Sequence, residues 1–251
     1  SKEHTLSFDN VTFVYPDGEE PVLSDITFKA KKGEMVAFIG STGSGKSTLV
    51  NLVPRFYDVS SGSIKINGKD IRDYDVLELR DKLGVIPQKA VLFSGTIADN
   101  IRFGKKDASD EEVEYAAKVA QAYPFIMEKE NGFDEEISEG ATNVSGGQKQ
   151  RLSIARALVR KAQIYIFDDS FSALDFKTDA ILRKELKKEM TESIMLVVAQ
   201  RISSIMEADQ IIVLNEGKVV GKGTHHQLLK ECQIYHEIAT SQLSEEELAN
   251  A

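Results

Sequence analysis

The sequence predicts an α/β fold with a mainly parallel sheet, an N-terminal antiparallel β subdomain and an inserted α-helical subdomain. Three observations predict it. Met35–Ile39 is a short, wholly apolar run that feeds the glycine-rich stretch Gly40–Gly45, after which a helix starts at Lys46. Ile164–Phe167, Ile194–Val198 and Ile211–Leu214 are three more such runs, separated by helical patterns. Strands that alternate with helices pair in parallel and are covered on both faces, which removes the need for alternation. Between about 97 and 160, by contrast, strand signal is sparse.

Taken in order, Leu6, Phe8, Val11, Phe13 and Tyr15 stand among polar residues, as in a half-buried strand closed by the turn Pro16-Asp17-Gly18. Val22–Phe28 is a second strand, and Lys31–Glu34 turns the chain into Met35–Ile39. A helix is expected over Lys46–Val53, and Ser63–Ile66 followed by Asn67-Gly68 forms a hairpin edge. Val113, Ala116, Ala117 and Ala120 recur at helical spacing, so Asp110–Ala122 is helical, with Ser109 and Glu112 as a capping box. Thr178–Met190 is a charged helix whose basic residues, Arg183-Lys184 and Lys187-Lys188, form its solvated face. Ser244–Glu247 opens an acidic C-terminal tail expected to fray.

The 251 residues suit one large domain, and 41% hydrophobic with 28% charged residues is ordinary globular composition. A single cysteine, Cys232, excludes an internal disulfide and is expected to be an ordinary packing or surface residue. The net charge of −9 argues against nucleic acid as a partner. No apolar run approaches the roughly 18–20 residues that cross a bilayer, so no direct membrane insertion is expected. Ser1-Lys2-Glu3-His4 lacks the apolar core of a leader peptide. The abrupt start beside the first strand suggests a domain cut from a longer chain.

Gly40-Ser41-Thr42-Gly43-Ser44-Gly45-Lys46-Ser47 fits the P-loop pattern, and the fold class becomes a P-loop NTPase core. Glycines let backbone N–H groups curl around phosphate oxygens without Cβ clashes. Lys46 would reach the β- and γ-phosphates, and the Ser47 hydroxyl would ligate Mg²⁺. By composition the pattern arises in about one chain per hundred of this length, so its place between a buried strand and a helix is what counts. ATP with Mg²⁺ is the expected ligand, held by Gly40–Thr48, with Ser41, Thr42, Gly43, Ser44, Gly45 and Thr48 around the phosphates. Asp168, ending the run Ile164–Phe167, supplies the carboxylate such a site needs.

Asn143-Val144-Ser145-Gly146-Gly147-Gln148-Lys149-Gln150-Arg151 resembles the signature of ABC-type ATPases and stands about 20 residues before Asp168, as in that family. The resemblance covers about residues 5–238. It implies an ATP-binding domain over 1–240, with a helical subdomain of about 90–160 and 241–251 as the tail. In the family, two such domains sandwich each ATP between one P-loop and the partner's signature, here Val144, Ser145, Gly146, Gly147 and Gln148. The resemblance also implies that Tyr15 stacks on adenine, that Gln88 contacts Mg²⁺ or the attacking water, and that Ser172, Ala173, Leu174 and Asp175 cross the dimer interface. Leu92–Ile101 looks like the exporter branch. Glu139 falls where exporters touch transmembrane coupling helices, although Ser138, Gly140 and Ala141 depart from the usual surroundings. The implied location is the cytoplasmic face of the cell membrane. His225-His226, after Gly223-Thr224, resembles a common Gly-Thr-His helix start rather than a metal site.

Two departures bear on catalysis. The family carries glutamate after the Mg²⁺ aspartate, whereas this chain has Asp169, shorter by roughly 1.5 Å, and displacements of about 1 Å can cost ~10²-fold. The family usually carries histidine after the next strand, contacting the γ-phosphate, whereas this chain has Gln200, which can still hydrogen-bond there but offers no proton. Together they imply a degenerate site with slow hydrolysis, a working signature, and a non-identical partner domain. The alternatives are a regulatory ATP-binding module with no turnover and a soluble ABC ATPase acting on nucleic acid or ribosomes.

Overall fold

A computed structural model describes residues 4–250; the reading of Ser1-Lys2-Glu3 as lacking a leader core falls outside them. The chain opens with β1 (Thr5–Phe13), β2 (Leu23–Lys31) and β3 (Met35–Gly40), then α1 (Lys46–Asn51), β4 (Ser61–Ile66), β5 (Lys69–Asp70), α2 (Val76–Asp81) and β6 (Leu83–Ile86). β2, β1, β4 and β5 form an antiparallel sheet in that order. The odd step from Phe8 to Val11 in an otherwise alternating pattern has a cause. Asn10 adopts φ 49°, a bulge that slips the register between those residues and keeps both buried. Gly62 of β4 lies against that bulge, and a Cβ there would meet Asn10 O at 2.2 Å, so only glycine fits. α1 stops at Asn51, short of the expected Val53. Leu52 and Val53 turn with i to i−3 hydrogen bonds ahead of Pro54, which disfavours helix in the residue before it.

The middle holds β7 (Gly95–Thr96), α3 (Ile97–Arg102), α4 (Asp110–Val119), α5 (Tyr123–Glu128), β8 (Glu136–Ile137) and α6 (Gly146–Leu158). Thr96, Ser109 and Ser145 each head a helix with a complete capping box, the second as the sequence predicts. α4 ends three residues before the expected Ala122. Gln121 takes φ 62°, and the bonds from Ala122 N to Ala117 O (2.8 Å) and from Gln121 N to Lys118 O (3.1 Å) close a left-handed cap. The insert is not purely helical, because β7 and β8 pair antiparallel at its base.

The last part holds β9 (Ile164–Asp168), α7 (Phe176–Glu189), β10 (Ile194–Val198), β11 (Gln210–Asn215), β12 (Lys218–Gly223), α8 (His225–Glu231), α9 (Gln233–Gln242) and α10 (Glu245–Ala249). The six-stranded sheet has the order β12-β11-β3-β10-β9-β6, parallel except for the β11–β12 hairpin. Alternate residues of its strands enter two cores. Val36, Phe38, Ile166 and Leu196 pack toward the antiparallel sheet and α1, whereas Ala37, Ile39, Phe167 and Val197 pack toward α4, α6 and α7. The expected acidic tail is ordered: α9 runs through Gln242, Leu243 is buried, and Ser244 caps α10 with Glu247. Glu245–Glu247 occupy the first turn of that helix, where negative charge meets the positive end of its dipole. Cys232 is buried, and His225 is buried with Nδ1 bonded to the Tyr235 hydroxyl.

One buried charge ties α7 to the loop after β10. Asp179, 1% exposed, accepts from Arg183 Nε (2.7 Å), Arg201 Nη2 (2.9 Å) and Ser204 Oγ (2.7 Å). Asp179→Ala leaves two arginines facing each other without a counter-charge. Chemical denaturation should show a loss of about 2–3 kcal/mol, below the fully buried case because both arginines retain some solvent. A loss within 0.5 kcal/mol, the size of an ordinary surface change, would show that the network adds nothing.

Candidate functional site

β3 delivers the chain into the glycine loop at the C-terminal edge of the parallel sheet, and α1 carries it away. Gly45 stands at φ 100° as the N-cap of α1, and a Cβ there would meet Leu23 Cδ2 at 2.7 Å. Inside the loop Ser44 N donates to Ser41 O at 3.0 Å, and the β11–β12 turn supports it through Gly217 N to Ser44 O, also 3.0 Å. Lys46 is almost fully buried and folds back, donating from Nζ to Gly40 O (2.8 Å) and Ser41 O (3.2 Å). Burial lowers its ammonium from the ordinary value, while Asp169 and Asp168 pull it back up. Ser44 Oγ is buried without a hydrogen-bond partner, a polar atom left over inside the cradle. Tyr15 stands beside the loop: its hydroxyl lies 2.9 Å from Thr48 Oγ1, and its ring meets Tyr57 edge-on at 5.2 Å.

The second wall comes from the neighbouring strand ends. Ser47 Oγ donates to Asp168 Oδ1 at 2.8 Å, which sets a hydroxyl and a carboxylate together. Such hard oxygen donors match the preference of Mg²⁺. Asp169 leaves the strand at φ 54° with its amide bonded to Val198 O (2.8 Å), and Gln88 Nε2 donates to its Oδ2 at 3.1 Å. Burial pushes the Asp169 carboxyl above the ordinary carboxylate value, and the charge of Asp168 adds to this; Lys46 and Arg201 oppose it. Gln200 lies exposed just past β10, and with Thr42 and Lys46 it lines a cavity of about 430 Å³. Lys46, Ser47, Gln88, Asp168, Asp169 and Gln200 thus converge on one edge of the sheet.

The remaining expected residues form a different face. Ser145 caps α6, with Ser145 and Gly146 exposed at the helix start, while Val144 is buried beneath them. The segment carrying Ser172–Asp175 lies against that start, because a Cβ on Gly147 would come 3.3 Å from Ala173 O. Among the described residues no hydrogen bond joins Val144–Gln148 to Gly40–Thr48. Glu139 is exposed in a short 3₁₀ turn.

Four residues that place this machinery escape sequence reasoning. Gln150, buried in α6, donates to Pro87 O at 3.1 Å, and Ser170 Oγ donates to Ile86 O at 2.7 Å; both hold the segment carrying Gln88. Arg201 donates to Phe171 O (2.7 Å) and Leu174 O (3.3 Å), and Gln242 binds the loop of Gln200. Each partner stands tens of residues away in the chain, where spacing carries no signal.

Known proteins match this chain both in sequence and in fold. The ABC transporter family matches residues 23–172. An uncharacterized ABC transporter ATP-binding protein of Mycobacterium bovis is 46% identical over 234 residues, 92% of this chain and 40% of the relative. A Staphylococcus aureus protein named for multidrug export as an ATP-binding/permease protein is 44% identical over 241 residues, 96% of this chain and 42% of its own length. The solved structure of a bacterial Atm1-family ABC exporter with ATP bound superposes with a TM-score of 0.91 at 38% identity, covering 97% of this chain and 43% of that one. The chain therefore spans about two fifths of the length of the relatives it matches.

The raised Asp169 carboxyl has a measurable consequence. The folded chain holds this proton more tightly than the unfolded one, whose value is near 3.8. The stability this gives is full below that value and is lost as pH rises through the raised one. Asp169→Asn should therefore raise the Tm of the nucleotide-free chain at pH 7, with the gain shrinking toward about pH 4. Thermal melts across that range check it, and a gain independent of pH would mean that packing, not charge, is responsible.

Proposed function

The chain belongs to the ABC transporter family of ATP-binding domains, and on that premise we propose that it is the degenerate-site half of a heterodimeric exporter. It would bind Mg-ATP at the cytoplasmic face of the membrane and hydrolyse it slowly. Its signature segment, Val144–Gln148, would complete the competent site of a second, non-identical nucleotide-binding domain. The observation that carries this reading is the pairing of Asp169 with Gln88 beside Gln200. Raising a carboxyl's affinity for protons makes it a better base, so protonation is not what disables Asp169. Reach is. The side chain lacks one methylene, and its Oδ2 is already engaged by Gln88. Gln200 adds no titratable group that could compensate.

The cradle supports ATP as ligand. Ser41–Thr48 supply backbone amides and hydroxyls, Lys46 a buried cation, and Ser44 Oγ an unpaired polar atom. Tyr15, beside Thr48, is in place to meet the adenine. Ser47, Asp168 and Gln88 would hold Mg²⁺, which supplies neutralisation of charge between the phosphates. Lys46 donates to Gly40 O and Ser41 O, so its transfer to phosphate would exchange neutral acceptors for charged ones.

Two surfaces support the partners. Ser145 and Gly146 are exposed at the start of α6, and Gly147 adjoins Ser172–Asp175, which suits a γ-phosphate offered by another chain. Beside Pro87 a groove of about 290 Å³ is lined by Phe56, Val85, Phe103 and Arg156, with Phe56 and Phe103 more than half exposed. Exposed aromatics around a groove next to Gln88 suit the coupling helices of a transmembrane domain. The capture of Asp169 by Gln88 also favours a second reading, a regulatory ATP-binding module with no turnover at all.

Steady-state ATP hydrolysis by this chain, beside an Asp169→Glu, Gln200→His double variant, tests the proposal once both are shown to bind ATP. A nearly inactive parent and a variant at least tenfold faster are expected. A briskly active parent that Asp169→Asn inactivates would make Asp169 a working catalytic carboxylate and remove the case for a specialised partner. A variant as inactive as its parent would leave the regulatory module as the reading.

A further inference from the structure

We propose that Gln242, at the end of α9, is a positioning residue that sets Gln200 at the nucleotide. Its side-chain amide spans the loop after β10: Nε2 donates to Gln200 O at 2.8 Å, and Oε1 accepts from Ile202 N at 2.7 Å. The two bonds run in opposite senses, so only one orientation of the amide satisfies both. They bracket Arg201, whose guanidinium reaches the other way, to Phe171 O, Leu174 O and Asp179. The loop is therefore held through its backbone by α9, and through the side chain of Arg201 by α7 and the segment before it.

Gln200 itself depends on that grip. Its side chain is exposed and makes no hydrogen bond among the described residues, so where it points is governed by its backbone. α9 is a firm place to hold from: Tyr235 and Ala239 are buried, and His225 bonds the Tyr235 hydroxyl. The cavity of about 430 Å³ separates Glu237, Ser241 and Gln242 from Ser41, Thr42 and Lys46. Among the described residues no hydrogen bond runs from α9 to the phosphate loop, which leaves Gln242 as the hydrogen-bonded route by which α9 bears on the site.

The inference rests on the reading that Gln200 faces the γ-phosphate of bound ATP. Loosening its backbone would then weaken ATP and leave ADP, which lacks that group, unaffected. Titrations of this chain with Mg-ATP and with Mg-ADP read the ratio of the two affinities in Gln242→Ala, Gln242→Glu, Gln200→Ala and the Gln200→Ala, Gln242→Ala double variant. Gln242→Ala should lower the preference for ATP about three- to tenfold, the worth of an ordinary hydrogen bond. Gln242→Glu, which keeps the acceptor and loses the donor, should lower it too. The double variant should match Gln200→Ala alone, because one residue acts through the other. Hydrogen exchange at the Ile202 amide should accelerate in Gln242→Ala, which removes its acceptor, and not in Gln242→Glu, which keeps it.

If Gln200→Ala lowers the ATP preference but Gln242→Ala does not, the positioning role is overturned while the reading of Gln200 stands. If neither does, the γ-phosphate role of Gln200 fails, and the positioning role fails with it. Equal weakening of ATP and ADP by Gln242→Ala would reveal general loosening of the fold and overturn the proposal as well.

Discussion

Everything at the nucleotide edge depends on the register of three parallel strands. Val198 of β10 pairs with Phe38 of β3 on one side and with Asp168 of β9 on the other. Gly40, Asp169 and Gln200 follow those partners by one or two residues, so they emerge at one level of the sheet. A one-residue slip would turn each strand's side chains to the opposite core. The two cores oppose such a slip, because Phe38, Ile166 and Leu196 fill one and Ile39, Phe167 and Val197 the other. Ordinary apolar packing thereby fixes where the lysine, the carboxylates and the glutamine meet.

Around that fixed edge the chain uses short polar ties instead of further packing. Ser170 and Gln150 hold the segment of Gln88 through the carbonyls of Ile86 and Pro87. Asp179 joins α7 to the loop after β10, and Arg201 joins that loop to the segment of Ser172–Asp175. Directional bonds of this kind can be made and broken as units. A helix buried by area alone could not release one loop without releasing its neighbours. The loops that bear Gln88, Gln200 and Leu174 are accordingly linked to one another as well as to the sheet.

The local parts of this architecture were legible in the sequence. Wholly apolar runs revealed β3, β9, β10 and β11, the glycine pattern revealed the phosphate loop, and Ser109 with Glu112 revealed a helix start, because each signal lies within a few residues. β12 escaped because its exposure alternates but its residues do not: Val219 and Val220 are adjacent, and Gly221 and Gly223 stand where apolar residues would mark the inner face. Its turn, Glu216-Gly217, has positive φ at both positions and was the available sign of a hairpin. β6 is four residues ending at Pro87, too short for a pattern to form. The tail misled in the other direction, since three successive glutamates suggest fraying by repulsion but also suit the first turn of a capped helix. Strand order and the ties of Gln150, Ser170, Arg201 and Gln242 are properties of folded space, and single-chain spacing does not encode them.

The small ribbon of β7 and β8 bears on how the chain folds. Pairing β6 with β9 joins Ile86 to Phe167 across a long stretch that includes α3 to α6. Once Gly95 meets Ile137, the helical segment becomes a closed side loop, and the length of chain left to close is roughly halved. Each halving lowers the entropic cost of closure by about 0.6 kcal/mol. Gly95 and Ile137 are nearer in sequence than Ile86 and Phe167, and near contacts form sooner. A two-residue ribbon, negligible in buried area, thus shortens the search for the central sheet.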